Sequence, residues 1–187
     1  MTDPFFNGEL VRLSEATPEE FAALISKAGR DTELMRLMDA DPLHLSSKAA
    51  VQKWFEKYTE KDLPDHAIFM IRTLDGERLI GHIGLDGLSW SHADSYVGIG
   101  IAEREFWGKG YGTDAMRLML RFAFTELDLH RLTLNVFEYN PRAIRSYEKV
   151  GFKPEGRQHN YLNRDGQRWD LIYMGILKAE WQALNGL

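Results

Sequence analysis

Two short stretches concentrate the groups that could do chemistry. The first is Trp107-Gly108-Lys109-Gly110-Tyr111-Gly112-Thr113. Alternating glycines let the backbone turn tightly and approach a ligand with no Cβ in the way. A helix starting there adds unpaired N–H groups and the positive end of its dipole, which together bind a pyrophosphate. A plain glycine-rich turn fits the same letters, so this stretch alone leaves both readings open. The second stretch is Asn140-Pro141-Arg142-Ala143-Ile144-Arg145-Ser146-Tyr147-Glu148-Lys149-Val150-Gly151-Phe152. Asn140 suits a helix N-cap and Pro141 the first turn. Residues seven apart differ by about 20° around a helix and stand roughly 10 Å apart along it. The amide of Asn140 and the phenol of Tyr147 can therefore face one elongated ligand. Equally, Asn140 can simply cap and Tyr147 simply pack, with Ile144 and Val150 as core.

Other phosphate and nucleophile chemistries fit poorly. A dinucleotide fingerprint starting at Gly108 needs a third glycine where Thr113 stands. A Walker A loop needs Ser or Thr after Gly-Lys, and Lys109 is followed by Gly110. The chain has no cysteine, which removes disulfides, thiolate catalysis and Cys-ligated metals. Its histidines show neither His-x-His nor His-Glu-x-x-His spacing, so no metal is expected.

Around these stretches the sequence alternates strands and helices. Short strands are expected at Glu9 to Leu13, Ala67 to Arg72, Leu79 to Leu88, Tyr96 to Ala102 and Arg131 to Val136. Two more are expected at about Lys153 to Tyr161 and Gln167 to Leu177. Asp75-Gly76 signals a hairpin. Thr17-Pro18-Glu19-Glu20 reads as a helix start. Val51, Trp54, Phe55 and Tyr58 recur at helical spacing within Ser47 to Glu60. Further helices are expected at Gly112 to Thr125 and Pro141 to Val150, the latter stopping at Gly151. Arg30 to Leu45 gives no clear pattern. The expected fold class is α/β (α+β), a mixed sheet with helices inserted between strands.

No repeat, low-complexity tract or linker divides the 187 residues, so residues 1–187 are expected to form a single domain. A net charge of −5 gives no chain-wide basic footprint, and no nucleic-acid partner is expected. The first residues have neither a basic n-region nor an apolar h-region, and no apolar run is long enough for a bilayer. No membrane partner and a cytoplasmic location are expected, as a monomer or a homodimer.

Together the two stretches closely resemble the GNAT acetyltransferases over about Tyr96 to Phe152. The order is strand, Gly-Lys-Gly-x-Gly loop, helix, strand, Asn-Pro-x-Ala, a helix with Tyr-Glu-Lys, then Gly-Phe. Tyr161-Leu162-Asn163-Arg164-Asp165-Gly166-Gln167-Arg168-Trp169 and Leu10-Val11-Arg12-Leu13 resemble the branch of ribosomal-protein N-terminal (RimJ/RimL-like) and diamine acetyltransferases. The resemblance implies a largely antiparallel central sheet of about seven strands, flanked by helices and splayed between the fourth and fifth. It implies acetyl-CoA as cosubstrate, its pyrophosphate on the backbone of Gly108, Lys109, Gly110, Tyr111, Gly112 and Thr113. It places pantetheine against Ile101 and Ala102, with Asn140 also touching the cofactor. Tyr147 occupies the position of the acid that protonates the departing thiolate.

Chemistry supports that last role independently. Aminolysis of a thioester needs a neutral amine, a stabilised oxyanion and a protonated leaving group. A phenol with pKa about 10 holds its proton where a thiol near 8.5 starts to lose one. A strand N–H at the splay could polarise the carbonyl.

Two departures from the family pattern stand out. Trp107 replaces the frequent Gln or Arg and is expected to pack rather than to bind phosphate. Val97 occupies the position where many relatives carry a glutamate base. Asp94, His92, Asp86, Glu103 and His159 are the candidate replacements, none preferred. Asp31 to Tyr58 and His159 to Trp169 are expected to wall the acceptor groove. By resemblance the leading acceptor is a peptide or protein N-terminal amine, with a small amine, polyamine or antibiotic as the alternative. A CoA-binding domain without turnover is the non-enzymatic one.

Overall fold

A computed structural model describes residues 5–60 and 65–187. Seven strands form one sheet in the order β1-β2-β3-β4-β5-β7-β6. They are β1 (Val11–Ser14), β2 (His66–Thr73), β3 (Leu79–Ser89), β4 (Asp94–Ile101), β5 (Arg131–Phe137), β6 (Lys153–Arg164) and β7 (Gln167–Leu177). Neighbours are antiparallel except β4 and β5. Those two run parallel and pair only from Asp94–Arg131 to Tyr96–Thr133. Beyond Tyr96 they separate, which is the splay the resemblance implied.

Local chemistry explains the helices. α1 (Pro18–Ala28) starts where the Thr17 side chain accepts from the Glu20 amide, with Pro18 in the first turn. α2 (Thr32–Met38) is capped by Asp31, and α3 (Lys48–Thr59) by Ser47. α4 (Tyr111–Arg121) continues into a wider π turn over Phe122–Glu126. α5 is Pro141–Glu148. A further helix, α6 (Lys178–Asn185), follows the last strand and was not expected; Glu180 closes its start by accepting from the Leu177 amide at 3.0 Å. None of the described helices is long and apolar enough to cross a membrane.

The two faces of the sheet carry separate cores. One packs Ile83, Leu85 and Val97 with Met116, Met119 and Leu120 of α4 and Leu132 and Leu134 of β5. The other packs Met70 against Phe21 of α1 and Val51 and Phe55 of α3. Side chains alternate between faces along each strand. His82, Gly84 and Asp86 of β3 lie opposite Gly100, Gly98 and Tyr96 of β4. That set shares the α1–α3 face, since His82 meets the Phe21 ring at 5.7 Å.

α2 docks on this face near the separated ends of β4 and β5. Arg104, just after β4, bonds its N-cap Asp31 through Nε at 2.6 Å and pairs with Glu33. That guanidinium holds the Asp31 carboxyl down at about 2. Beyond β5, the Tyr139 hydroxyl donates to the carbonyl of Arg36 at 2.5 Å.

Candidate active site

The separation of β4 and β5 opens a cleft of about 530 Å³. At one wall, the loop after β4 runs into α4. Gly108 and Gly110 have φ of 72° and 95°, left-handed values that side-chain-bearing residues rarely adopt. Gly110 is the N-cap, and its carbonyl accepts from Asp114 at 2.9 Å. The first-turn amides at Tyr111, Gly112 and Thr113 precede that first intrahelical bond, which leaves them as the helix's anion-binding end. The turn is anchored from behind. The buried carboxylate of Asp114 accepts from the amides of Leu10 at 2.8 Å and Val11 at 3.1 Å, tying α4 to β1.

α5 presents its start to the same cleft. Asn140 caps it, Oδ1 accepting from the Ala143 amide at 3.2 Å. Asn140 is 9% exposed and lines the cleft, and its amide NH₂, without a hydrogen-bond partner among the described residues, remains for a ligand. Capping and ligand contact are thus compatible rather than alternatives. The hydroxyls of Thr113 and Ser146 meet at 2.7 Å and tie the first turn of α4 to the last turn of α5.

Arg142, Arg145 and Lys149 also line the cleft. Spaced by three and seven positions, they follow one helix face, so helical spacing could have revealed them. The Arg142 guanidinium stacks 3.9 Å from the Trp107 ring centroid, and burial lowers its pKa. These cations and helix starts suit the phosphates of a CoA.

Tyr147 sits in the last turn of α5. Its ring packs toward Phe152, with centroids 6.1 Å apart, and lines the cleft. Among the described residues no hydrogen-bond partner engages its hydroxyl. Burial pushes its pKa up to about 12, so the phenol keeps its proton at neutral pH.

The strand wall corrects part of the sequence expectation. The Ala102 amide donates to the Ile80 carbonyl at 2.8 Å, and Ala102 does not line the cleft. It is spent on β3 rather than available to pantetheine. Antiparallel alternation directs the amides of Gly98 and Gly100 toward β3 too, and those of Val97, Ile99 and Ile101 toward the gap. Ile101 keeps its N–H for a ligand, but its carbonyl accepts from Trp107 Nε1 at 2.7 Å. Trp107 therefore locks the loop to the strand end, in keeping with a packing role. Ile99 joins Ile101 as a gap-facing residue. Gly108, Gly110, Gly112 and Thr113 line the cleft, whereas the side chains of Lys109 and Tyr111 do not. Lys109 is exposed, and Tyr111 packs edge-on against Phe106 at 4.9 Å.

Of the candidate bases, only Asp86 reaches the cleft. Glu103 is held by Lys27 and Arg78, and His159 by Asp170. His92 is exposed in the β3–β4 turn, and Asp94 lines a neighbouring polar cavity. Val97 is buried in the larger core. From Asp31 to Tyr58, Leu34, Leu37 and Met38 line the cleft, while no residue of His159 to Trp169 does. That hairpin instead clamps α2. Arg164 donates to the carbonyls of Arg36 at 2.5 Å and Asp39 at 3.0 Å and to the Tyr139 hydroxyl at 2.7 Å. Arg36 in turn pairs with Asp165. Among the described residues, no group of three or more His, Cys, Asp or Glu gathers as metal ligands.

Known proteins share this architecture. A crystal structure of Vibrio cholerae spermidine N-acetyltransferase in complex with CoA and spermine is similar with a TM-score of 0.78 at 23% identity, covering 91% of this chain and 96% of that one. Spermidine N(1)-acetyltransferase of Escherichia coli K12 is 32% identical over 151 residues, 74% of this chain and 80% of the relative. YdaF of Bacillus subtilis, provisionally named a ribosomal N-acetyltransferase, is 36% identical over 105 residues, 56% of this chain and 57% of its own length. The family model of the acetyltransferase (GNAT) domain matches residues 11–153, and the chain accordingly belongs to the GNAT family as an acetyl-CoA-dependent N-acetyltransferase.

Proposed function

We propose that this enzyme acetylates a small aliphatic primary amine, which approaches over the α1–α3 face of β4, and that Tyr147 protonates the departing thiolate. The observation that carries this reading is the bare stretch of β4 beside the splay. A Cβ added at Gly98 would meet nothing, so the groove floor there is open backbone. At Gly100 a Cβ would stand 2.6 Å from Met38 Cε, so its absence lets α2 roof the deep end. An amine on this floor faces a thioester threaded through the gap from the helix starts.

The reaction then needs little covalent help from the protein. The amine nitrogen attacks the carbonyl carbon, while a gap-facing amide of Ile99 or Ile101 stabilises the oxyanion. Collapse breaks the C–S bond, and the sulfur takes the proton held by Tyr147.

The shape of the groove favours a slender acceptor. α2 and its clamp to the β6–β7 hairpin cover the side where β4 and β5 diverge. The remaining approach passes Asp86 and Tyr96. Tyr96 also borders a polar cavity of about 370 Å³ lined by Asp94, Arg131 and Glu155, which offers room for the acceptor's far end. The similarity to spermidine acetyltransferases supports a polyamine-like acceptor. A peptide N-terminus is the second reading, supported by the similarity to YdaF. Thiol release from acetyl-CoA, measured with monoamines, polyamines and peptides, tests both. Turnover of aliphatic amines with kcat/KM well above that of peptides is expected; the reverse order would install the peptide reading.

A further inference from the structure

Resting on that amine-transfer reading, we propose that Asp86 holds the acceptor's ammonium and takes its proton as it becomes the nucleophile. This places the missing base function on β3, one strand away from Val97.

The cleft lining includes several cations but, among the described residues, Asp86 is its one carboxylate. Asp86 lies opposite Tyr96 in the β3–β4 register and on the same face as Gly84 and Gly98. It therefore stands at the entrance to the bare floor, on the path the amine follows. Its backbone position is fixed, since the Ser95 hydroxyl donates to its carbonyl at 2.9 Å. Its side chain is oriented too. The Tyr58 hydroxyl of α3 donates to Oδ1 at 2.9 Å. Oδ2 carries no protein hydrogen bond among the described residues and is the oxygen left for a ligand. Burial and the neighbouring Asp86 carboxylate raise the Tyr58 pKa, so Tyr58 is held as a donor.

The proton balance closes with these groups. An ammonium gives one proton to Asp86 and attacks as the neutral amine. The tetrahedral adduct then carries an N–H in excess, which passes outward by the same carboxylate or its water. The thiolate gains one proton from Tyr147, which is replaced from solvent. The sum is amide, thiol and one released proton. Among the described residues, the titratable and charged groups around Asp86 are its β2 partner His66, Tyr58 from α3, Asp65, and Asp94 and Arg131 beyond Tyr96.

Asp86→Asn keeps the size and an oxygen for the Tyr58 hydroxyl while removing the charge. The expected loss in kcat/KM for an aliphatic amine is about 10²-fold at neutral pH. CoA affinity, measured on the same sample, should not move. The loss should shrink as pH rises toward the amine's own pKa, because the acceptor then arrives already neutral. Asp86→Glu should recover part of the rate. Tyr58→Phe, which removes only the orienting hydrogen bond, should cost several-fold less than Asp86→Asn. A kcat/KM for Asp86→Asn within about three-fold of wild type across the pH range would overturn the proposal. So would a loss that stays constant with pH, or one accompanied by equal weakening of CoA binding, since both mark a structural role. A wild-type enzyme inactive on every amine would instead overturn the amine-transfer reading on which this rests.

Discussion

On the proposed reading, the cofactor wall and the acceptor wall of the cleft differ in how they are made. The cofactor wall is largely local: the 108–113 loop runs directly into α4, and α5 supplies Asn140, Tyr147 and the cations within one short segment. It offers a ligand backbone amides and fixed positive charge. The acceptor wall gathers α2, one side chain from β3, and the exposed Tyr96 and bare glycines of β4, brought together only by the sheet. Among the described residues its one carboxylate is Asp86. Binding a constant cofactor can be written into short sequence; binding a variable acceptor depends on which distant segments the fold happens to appose.

The largest effect belongs where the two walls meet. Tyr147→Phe keeps the ring on Phe152 and removes a hydroxyl with no hydrogen-bond partner among the described residues. A fall in kcat of about 10² to 10⁴ is expected, with CoA affinity nearly unchanged. Steady-state kinetics alongside a binding measurement check it. Turnover within a few-fold of wild type, with chemistry rate-limiting, would remove the phenol from proton transfer and leave Tyr147 as packing.

Next in size is a test of the cofactor wall alone. Gly110→Val forces a β-branched residue to φ 95°, which costs about 1–3 kcal/mol in strain or a rearranged loop. The added Cβ would also stand 3.3 Å from Leu10 Cδ1. CoA binding should weaken by roughly 5- to 150-fold if that strain is relieved only by losing the loop geometry. Calorimetric titration of a folded sample decides the point; unchanged affinity would detach the loop from the pyrophosphate.

A smaller effect separates charge from backbone on the same wall. Arg142→Ala removes a cleft cation and the stack on Trp107. CoA affinity should drop about tenfold, and its salt dependence should flatten, because one charge–phosphate attraction is gone. An equal drop at every salt concentration would mean that Arg142 acts through Trp107 and the loop rather than through phosphate.

The unequal construction also explains what could be read beforehand. The glycine loop, Asn140 and Tyr147 lie within helical and loop spacing of one another, so their pattern survives in one dimension. The spacing of Arg142, Arg145 and Lys149 is equally visible in one dimension. The direction of the Ala102 amide is not legible in sequence because it depends on pairing: the Ala102–Ile80 bond turns it away from the gap. α2 was illegible because it is short and its apolar residues, Leu34, Leu37 and Met38, face a cleft rather than a continuous core. α6 escaped because Leu177 offers no polar cap; Glu180 does the capping from inside the helix. Asp86 could be named only as one of several acids, since nothing short of the β3–β4 register puts it beside Gly98.

The smallest predicted effect tests whether the acceptor wall is held from a distance. Arg164, on β6, reaches across to the end of α2 and grips the carbonyls of Arg36 and of its C-cap Asp39, and the Tyr139 hydroxyl, yet it does not touch the cleft. Arg164→Ala should loosen α2 at its C-terminal end, while Arg104 still holds the N-terminal end through Asp31. Each exposed hydrogen bond of this kind contributes about 1 kcal/mol or less, and Tyr139 keeps its bond to Arg36. The expected outcome is a rise of about three- to fivefold in acceptor KM, with CoA affinity unchanged and kcat little altered. Arg168→Ala on β7 is the matched control, because among the described residues Arg168 makes a single 3.5 Å contact, to the Asn160 carbonyl, and its loss should leave KM where it was. If Arg164→Ala changes CoA binding as much as acceptor KM, the two walls are mechanically one, and the distinction between them fails at this position. If it changes neither, α2 keeps its place without the clamp, and acceptor choice rests on α2 and β4 alone.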